Sequence, residues 1–135
     1  MRKFIFIFIL LLGAAFSFSL FAQPLYFVAD KHQTENIQIK PEKLSAFLNK
    51  WYNLETKLDA MKIESRNKRF FLMAKDKVAD KVYVMRLLRK DDALYIFKYN
   101  IIGACGCDQM SLDEFNFEKN KIHGCKGMYS TAGAY

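Results

Sequence analysis

The N-terminal segment constrains this chain more than any other feature of its sequence. Two basic residues, Arg2 and Lys3, precede an almost unbroken apolar run, and small residues follow it before Ala22. A basic start, an apolar centre and small residues near a cleavage point are typical of a secretory signal peptide. We therefore predict that residues 1–22 are cleaved after Ala22 and that residues 23–135 are exported to the periplasm or the extracellular space.

An uncleaved N-terminal membrane anchor is the alternative. The run that starts at Phe4 approaches the roughly 20 apolar residues that span a bilayer. Removal of the segment lowers the formal net charge of the chain from +7 to +5, because it carries two basic residues and no acidic ones. The remainder, 23–135, is long enough for one small domain and too short for two.

One amphipathic helix is predicted near the start of the exported part. Pro41 suits the first helical position and Glu42 suits the first turn. Apolar residues then recur at spacings of three and four: Leu44, Phe47, Leu48, Trp51, Leu54 and Leu58. This stripe predicts a helix over 42–58 with Trp51 largely buried.

Alternating patterns elsewhere predict short strands. They cover 24–30, 35–40, 69–75, 81–89, 93–99 and 111–117, with turns at 65–68 and 89–92. We therefore predict an α+β fold, in which one N-terminal amphipathic helix packs on an antiparallel β-meander of about four to six strands in a single domain.

A short segment suggests a different fold. Residues 48–52 (LNKWY) resemble the first-strand tryptophan signature of the lipocalins, although the glycine of that signature, two positions before the tryptophan, is Asn49 here. The resemblance covers about five residues and implies a small all-β lipocalin-like barrel. The helical stripe through Trp51 contradicts it.

The three cysteines form the main cluster of chemically suggestive residues. Cys105 and Cys107 lie in a Gly-rich segment, and Cys125 follows His123 by two residues. In an exported protein the first interpretation is a disulfide, with Cys125 bonded to Cys105 or Cys107. The sequence does not choose between the two partners, and the third thiol is left over.

The same cluster admits a metal. Cys-x-Cys and His-x-Cys each place two side chains on one side of an extended strand. Two such strands side by side would form a Cys₃His zinc site from Cys105, Cys107, His123 and Cys125. Free or partly oxidised thiols are a further alternative. Apart from zinc, no cofactor is predicted.

No catalytic motif stands out. His32 lies among polar residues and is interpreted as a solvated loop residue, and Asp91–Asp92 as a hairpin turn. The sequence contains no zinc-protease motif, no nucleophile elbow and no Gly-rich phosphate loop. Catalysis is disfavoured, but a small periplasmic enzyme stays open because sites assembled across a fold are invisible in one sequence.

Basic residues gather near the predicted strand ends in three runs, at 66–69, 75–81 and 86–90. Such a rim would attract phosphate groups of lipids or surface polysaccharides. The aromatic residues Phe47, Trp51, Tyr83, Tyr95, Phe97 and Tyr99 would fill the core between helix and sheet, or line a pocket for an apolar small ligand.

The sequence as a whole predicts a small exported, non-catalytic binding or interaction domain of the cell envelope, stabilised by a disulfide. Candidate partners are an envelope protein, an anionic surface polymer or an apolar small ligand. Nucleic acid is a poor partner for an exported protein.

Overall fold

A computed structural model describes residues 23–106, 110–119 and 121–124. The predicted signal peptide, Cys107 and Cys125 lie outside the described residues. The described elements, in chain order, are β1 (Tyr26–Asp30), α1 (Pro41–Tyr52), β2 (Leu58–Arg66), β3 (Arg69–Asp76), β4 (Val82–Arg86), β5 (Leu88–Lys90), β6 (Ala93–Ile96), β7 (Ile102–Cys105), a 3-10 helix (Leu112–Glu114), β8 (Asn116–Glu118) and β9 (Lys121–His123).

The nine described strands form three antiparallel sheets. Sheet one has the order β1-β6-β5, sheet two has the order β2-β3-β4-β7, and β8 and β9 form a separate hairpin. One α-helix with antiparallel sheets confirms the α+β class. The arrangement differs from the predicted single meander of four to six strands, and within the described ranges no sheet closes into the lipocalin-like barrel.

Helix α1 is shorter than the predicted 42–58. It begins at Pro41 and ends at Asn53, which adopts the left-handed conformation with φ 53°. The Asn49 side chain then binds the returning chain: its Oδ1 accepts from the Thr56 backbone N–H at 2.7 Å, and its Nδ2 donates to the Thr56 carbonyl at 3.2 Å. These bonds turn the backbone away from the helix, so Leu58 starts β2 instead of continuing the stripe.

Trp51 lies in this helix, so the interpretation of residues 48–52 as a lipocalin first strand is wrong. Its indole stacks on Phe47 with ring centroids 4.9 Å apart, and Tyr26 of β1 lies 5.9 Å away. Trp51 is partly buried rather than largely buried as predicted. The helix instead buries Leu44 and Leu48 completely.

Three predicted strands are corrected by the structure. In the predicted strand 111–117, the Ser111 hydroxyl accepts from the Asp113 N–H and caps the 3-10 helix Leu112–Glu114, so the strand β8 starts only at Asn116. Residues 35–40 form turns and bends, although the Gln38 N–H donates to the Val28 carbonyl at 2.7 Å. The predicted strand 81–89 is divided at Leu87, where the chain leaves sheet two and enters sheet one. Both predicted turns are confirmed, with positive φ at Asn67, Lys68 and Asp91.

Sheet two has a core on each face. On one face, α1 and sheet one cover a large core that includes the fully buried Leu72 and Ala74. On the other face, the 3-10 helix and the β8–β9 hairpin cover a smaller core around Met73 and Val84. Because both faces are buried there, the central strands β3 and β4 are apolar on successive residues rather than alternating.

Strands β7 and β9 approach each other unusually closely. A Cβ atom on Gly103 would lie 2.6 Å from the Ile122 carbonyl oxygen, and one on Gly124 would lie 1.8 Å from the Ala104 carbonyl oxygen. Any side chain at these positions would force the strands apart. Glycine is therefore required at the contact that holds the hairpin on sheet two.

Candidate functional site

Three arginines share one face at one end of sheet two, which we call the arginine end. Arg66 lies directly opposite Arg69 across the β2–β3 hairpin, and Arg86 of β4 lies opposite Phe71 of β3. Since Arg69 and Phe71 are two residues apart on one strand, they and Arg86 all project from the same face. The register therefore gathers cations that are 20 residues apart in sequence.

The nearby acidic side chains are engaged elsewhere. Asp113 pairs with Arg66, whose guanidinium also donates to the Leu112 carbonyl and lies over the Phe117 ring. The carboxylate of Glu64 pairs with Lys62. Glu118 pairs with an imidazole of the β8–β9 hairpin. Arg66 is thus held by contacts with the 3-10 helix and β8 at the arginine end.

Arg69 and Arg86 differ from Arg66 in having no carboxylate within 4.0 Å among the residues described. Partial burial lowers the pKa of Arg86 from its ordinary value, and the positive charge of Arg69 lowers it further. Both effects disfavour the charged form of the Arg86 guanidinium. A bound anion would relieve the second cause directly.

A cleft with a volume of about 460 Å³ opens beside these two arginines. We call it the arginine cleft. Its lining combines four cations with apolar and aromatic side chains and contains no acidic residue: Lys68, Arg69, Phe70, Arg86, Leu87, Leu88, Arg89, Phe97, Tyr99 and Ile101. A second, smaller cleft of about 240 Å³ lies on the hairpin side and shares Arg69, Arg86 and Ile101 with it.

The far wall of the arginine cleft is a loop that is held firmly. The Tyr52 hydroxyl, at the end of α1, donates to the Lys98 carbonyl at 2.9 Å. Asn100 is buried, and its Oδ1 accepts from the Phe97 N–H at 2.7 Å. These bonds fix the position of Phe97 against the cations, so the cleft is formed before any ligand binds.

The third basic run does not join the cleft. Lys75, Lys77 and Lys81 lie at the opposite end of β3 and β4, which we call the lysine end. The side chain of Asp76 lies between them and is 1% exposed. Its Oδ1 accepts from the backbone N–H groups of Val78 at 2.9 Å and Lys57 at 3.4 Å. The fold therefore brings the basic runs at 66–69 and 86–90 together and places the run at 75–81 at the other end of the sheet.

Cys105 also lies at the lysine end, buried in β7 opposite Val82. It is not a free thiol. A Cβ on Gly124, the residue before Cys125, would lie 3.3 Å from the Cys105 Cα. The strand that leads to Cys125 therefore passes directly beside Cys105.

His123 has a carboxylate partner rather than a sulfur in the described structure. Its Nε2 lies 3.2 Å from Glu118 Oε1 on the neighbouring strand of the hairpin. Across the ranges described, no three His, Cys, Asp or Glu side chains are close enough to hold a metal. Cys107 and Cys125, two of the four predicted zinc ligands, lie outside those ranges, so the zinc hypothesis stays a prediction.

The remaining predicted candidates behave as ordinary surface and core residues. His32 is 68% exposed in a turn, as predicted, and Asp92 pairs with Lys31 at 2.9 Å. That pairing lowers the pKa of Asp92, first through the hydrogen bond from Lys31 and then through its charge. The aromatic set is divided: Tyr83 is buried, whereas Tyr99 is 63% exposed.

Sequence reasoning proposed a basic rim but did not identify the arginine cleft. The cleft depends on cross-strand register, which places Arg86 near Arg69 and leaves no pattern in the sequence.

None of the helices in the described part of the chain is long and apolar enough to cross a membrane. Comparison of the chain with models of protein families, with curated proteins and with solved structures finds no match.

Proposed function

We propose that this protein is a small exported, non-catalytic domain of the cell envelope that binds a phosphate-bearing anion in the arginine cleft. The observation that carries the proposal is the pair Arg69 and Arg86, on one face of sheet two with no described carboxylate within 4.0 Å of either. Guanidinium groups bind phosphate oxygens through paired hydrogen bonds. The apolar lining makes the cleft suited to an anion that also carries an apolar part.

Export supports the same proposal. The N-terminal segment is typical of a signal peptide, and phosphate groups of lipids and surface polymers are the abundant anions that an exported cationic domain meets. A small enzyme is the rival class. No described cluster at the cleft combines a nucleophile with a base, and the cleft lining consists of cations with apolar and aromatic residues.

A disulfide between Cys105 and Cys125 completes the proposal. Of the two partners that the sequence leaves open for Cys125, Cys105 is supported by the contact between Gly124 and β7. Disulfide geometry requires Cα atoms within about 7 Å, which adjacent strands satisfy. The bond would close a loop of about 20 residues and contribute roughly 3 kcal/mol by the loop-entropy model. Non-reducing peptide mapping tests the pairing, and a Cys107–Cys125 peptide would refute it.

The binding proposal is tested with soluble polyphosphate as the probe. The double variant Arg69→Gln/Arg86→Gln should bind polyphosphate at least tenfold more weakly by titration calorimetry, a loss of about 1.4 kcal/mol. The matched control is Lys77→Gln/Lys81→Gln, which removes the same charge from the lysine end. The control should change the affinity less than twofold.

Equal losses in the two double variants would contradict the proposal, because they would show that net charge alone governs binding. Affinity of the unaltered protein should also fall as the salt concentration rises, since the interaction depends on exposed charges. Unfolding curves of all variants should coincide with that of the unaltered protein, because none of the four side chains is in the core.

A further inference from the structure

A row of exposed and half-buried apolar side chains crosses the outer face of sheet one. Phe27 of β1 lies opposite Tyr95 of β6, and Tyr95 lies opposite Leu88 of β5. Phe27 is 45% exposed and Leu88 is 41% exposed. The Phe27 and Tyr95 rings meet edge to face with centroids 6.0 Å apart. We call these three residues the apolar row.

The apolar row leads into the arginine cleft. Leu88 belongs to both, and Phe97, two residues after Tyr95, lines the cleft. Beyond it, Tyr99 is 63% exposed, with the Lys98 ammonium 5.7 Å from its ring centroid. The row and the cleft therefore form one continuous surface, apolar over sheet one and cationic at its edge.

Charge is distributed unevenly along sheet one. The acidic residues Asp91 and Asp92 occupy the β5–β6 turn, at the end of the sheet away from the apolar row. The end that carries the row adjoins Lys68, Arg69, Arg86 and Arg89. A partner that covers the row would contact the cations next to it. The cleft lining contains no acidic residue that would repel an anionic partner.

We infer that this combined surface docks on an anionic lipid bilayer, with the apolar row in the interface and lipid phosphates at Arg69 and Arg86. The inference rests on the proposed function and names the source of the phosphate. A soluble anion held in the cleft would leave the row uncovered, because the row extends across all three strands of sheet one. Aromatic side chains with a polar end favour the membrane interface, and exposed Lys and Arg are attracted to anionic headgroups.

Vesicle co-sedimentation tests the inference, with vesicles of equal parts phosphatidylglycerol and phosphatidylcholine. The variant Phe27→Thr/Tyr95→Thr should bind these vesicles at least tenfold more weakly, while its affinity for polyphosphate stays within twofold, because neither residue lines the arginine cleft. Threonine is a good strand former and neither side chain belongs to the buried core, so the sheet is retained. Phe27→Thr alone provides a second, milder variant.

Val78→Thr is the matched control. Val78 is 70% exposed in the β3–β4 connection at the lysine end, and its replacement should leave vesicle binding unchanged. Vesicles of phosphatidylcholine alone measure any contribution from residues 1–22, and all variants are taken from the same exported fraction. Arg69→Gln/Arg86→Gln should lower binding to both the mixed vesicles and polyphosphate.

Failure of the inference and failure of the proposed function give different results. If the apolar-row variants bind vesicles as well as the unaltered protein does, docking is refuted and the anion cleft stands. Docking is refuted in the same way if the unaltered protein binds polyphosphate but no vesicle, which would favour a soluble polymer or an acidic protein partner. If the arginine variant keeps its polyphosphate affinity, the proposed function itself fails.

Discussion

Both ends of sheet two carry cations, but the two ends differ in construction. At the lysine end, Asp76 is buried among backbone N–H groups, Cys105 is buried, and Gly124 lies against Ala104. At the arginine end the strands open onto clefts lined by Arg69 and Arg86. The first end is closed and holds the hairpin to the sheet, whereas the second exposes uncompensated charge. Basic residues therefore surround a closed structural contact at one end and, we propose, a binding site at the other.

The largest expected effect comes from the closed end. Gly124→Ala would place a methyl group 1.8 Å from the Ala104 carbonyl oxygen, so β7 and β9 must separate. We expect a loss of about 3 kcal/mol in the free energy of unfolding, at the upper end for overpacking. Denaturant unfolding measures it. Gly106→Ala is the control, because its Cβ would meet no atom within 4 Å and should change stability by less than about 1 kcal/mol.

Asp76→Ala removes the acceptor for two backbone N–H groups at the lysine end. Asp76 is 1% exposed and the two hydrogen bonds are partly buried, so both N–H groups would lose their acceptor where access of water is limited. We expect a loss of about 2–3 kcal/mol, measured by denaturant unfolding. Glu55→Ala, which removes an exposed carboxylate, should have little effect. A polyphosphate affinity that fell along with stability would contradict the distinction between the two ends.

Tyr52→Phe tests the anchor of the loop that forms the far wall of the arginine cleft. The variant loses the hydrogen bond to the Lys98 carbonyl, and we expect a cost of about 1 kcal/mol at neutral pH. Tyr99→Phe, in an exposed position, is the control and should cost less.

The same variant has a pH signature. Burial raises the pKa of Tyr52, so the folded chain holds this proton more tightly than the unfolded chain. The protonated Tyr52 hydroxyl therefore contributes fully to the free energy of unfolding below the ordinary tyrosine pKa of about 10. This contribution is lost as pH rises through the raised pKa. The stability difference between the unaltered protein and Tyr52→Phe should shrink above that pH. A constant difference would contradict the assignment.

The smallest expected effect is that of Arg66→Gln. Arg66 is paired with Asp113 and is partly exposed, so removing its charge should cost about 0.5–1 kcal/mol of stability. Polyphosphate affinity should fall less than threefold. The single variant Arg69→Gln provides the comparison. If Arg66→Gln weakened polyphosphate binding as much as Arg69→Gln does, an arginine paired with a carboxylate would contribute to binding as much as an unpaired one.

Local chemistry in the sequence predicted the turns and the fold class. Asn67 and Asp91 tolerate positive φ, and the hairpins form around them. The end of α1 was missed because Leu54 and Leu58 continue the apolar spacing, while the Asn49 side chain, seven residues from its partner, ends the helix. That bond belongs to tertiary structure and leaves no periodic signal.

The change of sheet at Leu87 was missed for a related reason. Apolar and polar residues continue in a strand-like order across it, so the pattern does not show that β4 and β5 belong to different sheets. The candidate site depends on the same kind of information. Two of the three basic runs meet and the third does not, and the register of β3 against β4 decides which.

The pairing of β1 with β6 has a consequence for the order of folding. Tyr26 lies opposite Ile96, whereas β2, β3 and β4 follow one another through short turns. Contacts between distant parts of a chain cost more loop entropy and tend to form later. Sheet one is thus expected to form after the β2–β3–β4 hairpins, since it requires residues 26 and 96 to meet. A partly folded chain would therefore lack the apolar row, and the proposed docking surface would exist only in the completed domain.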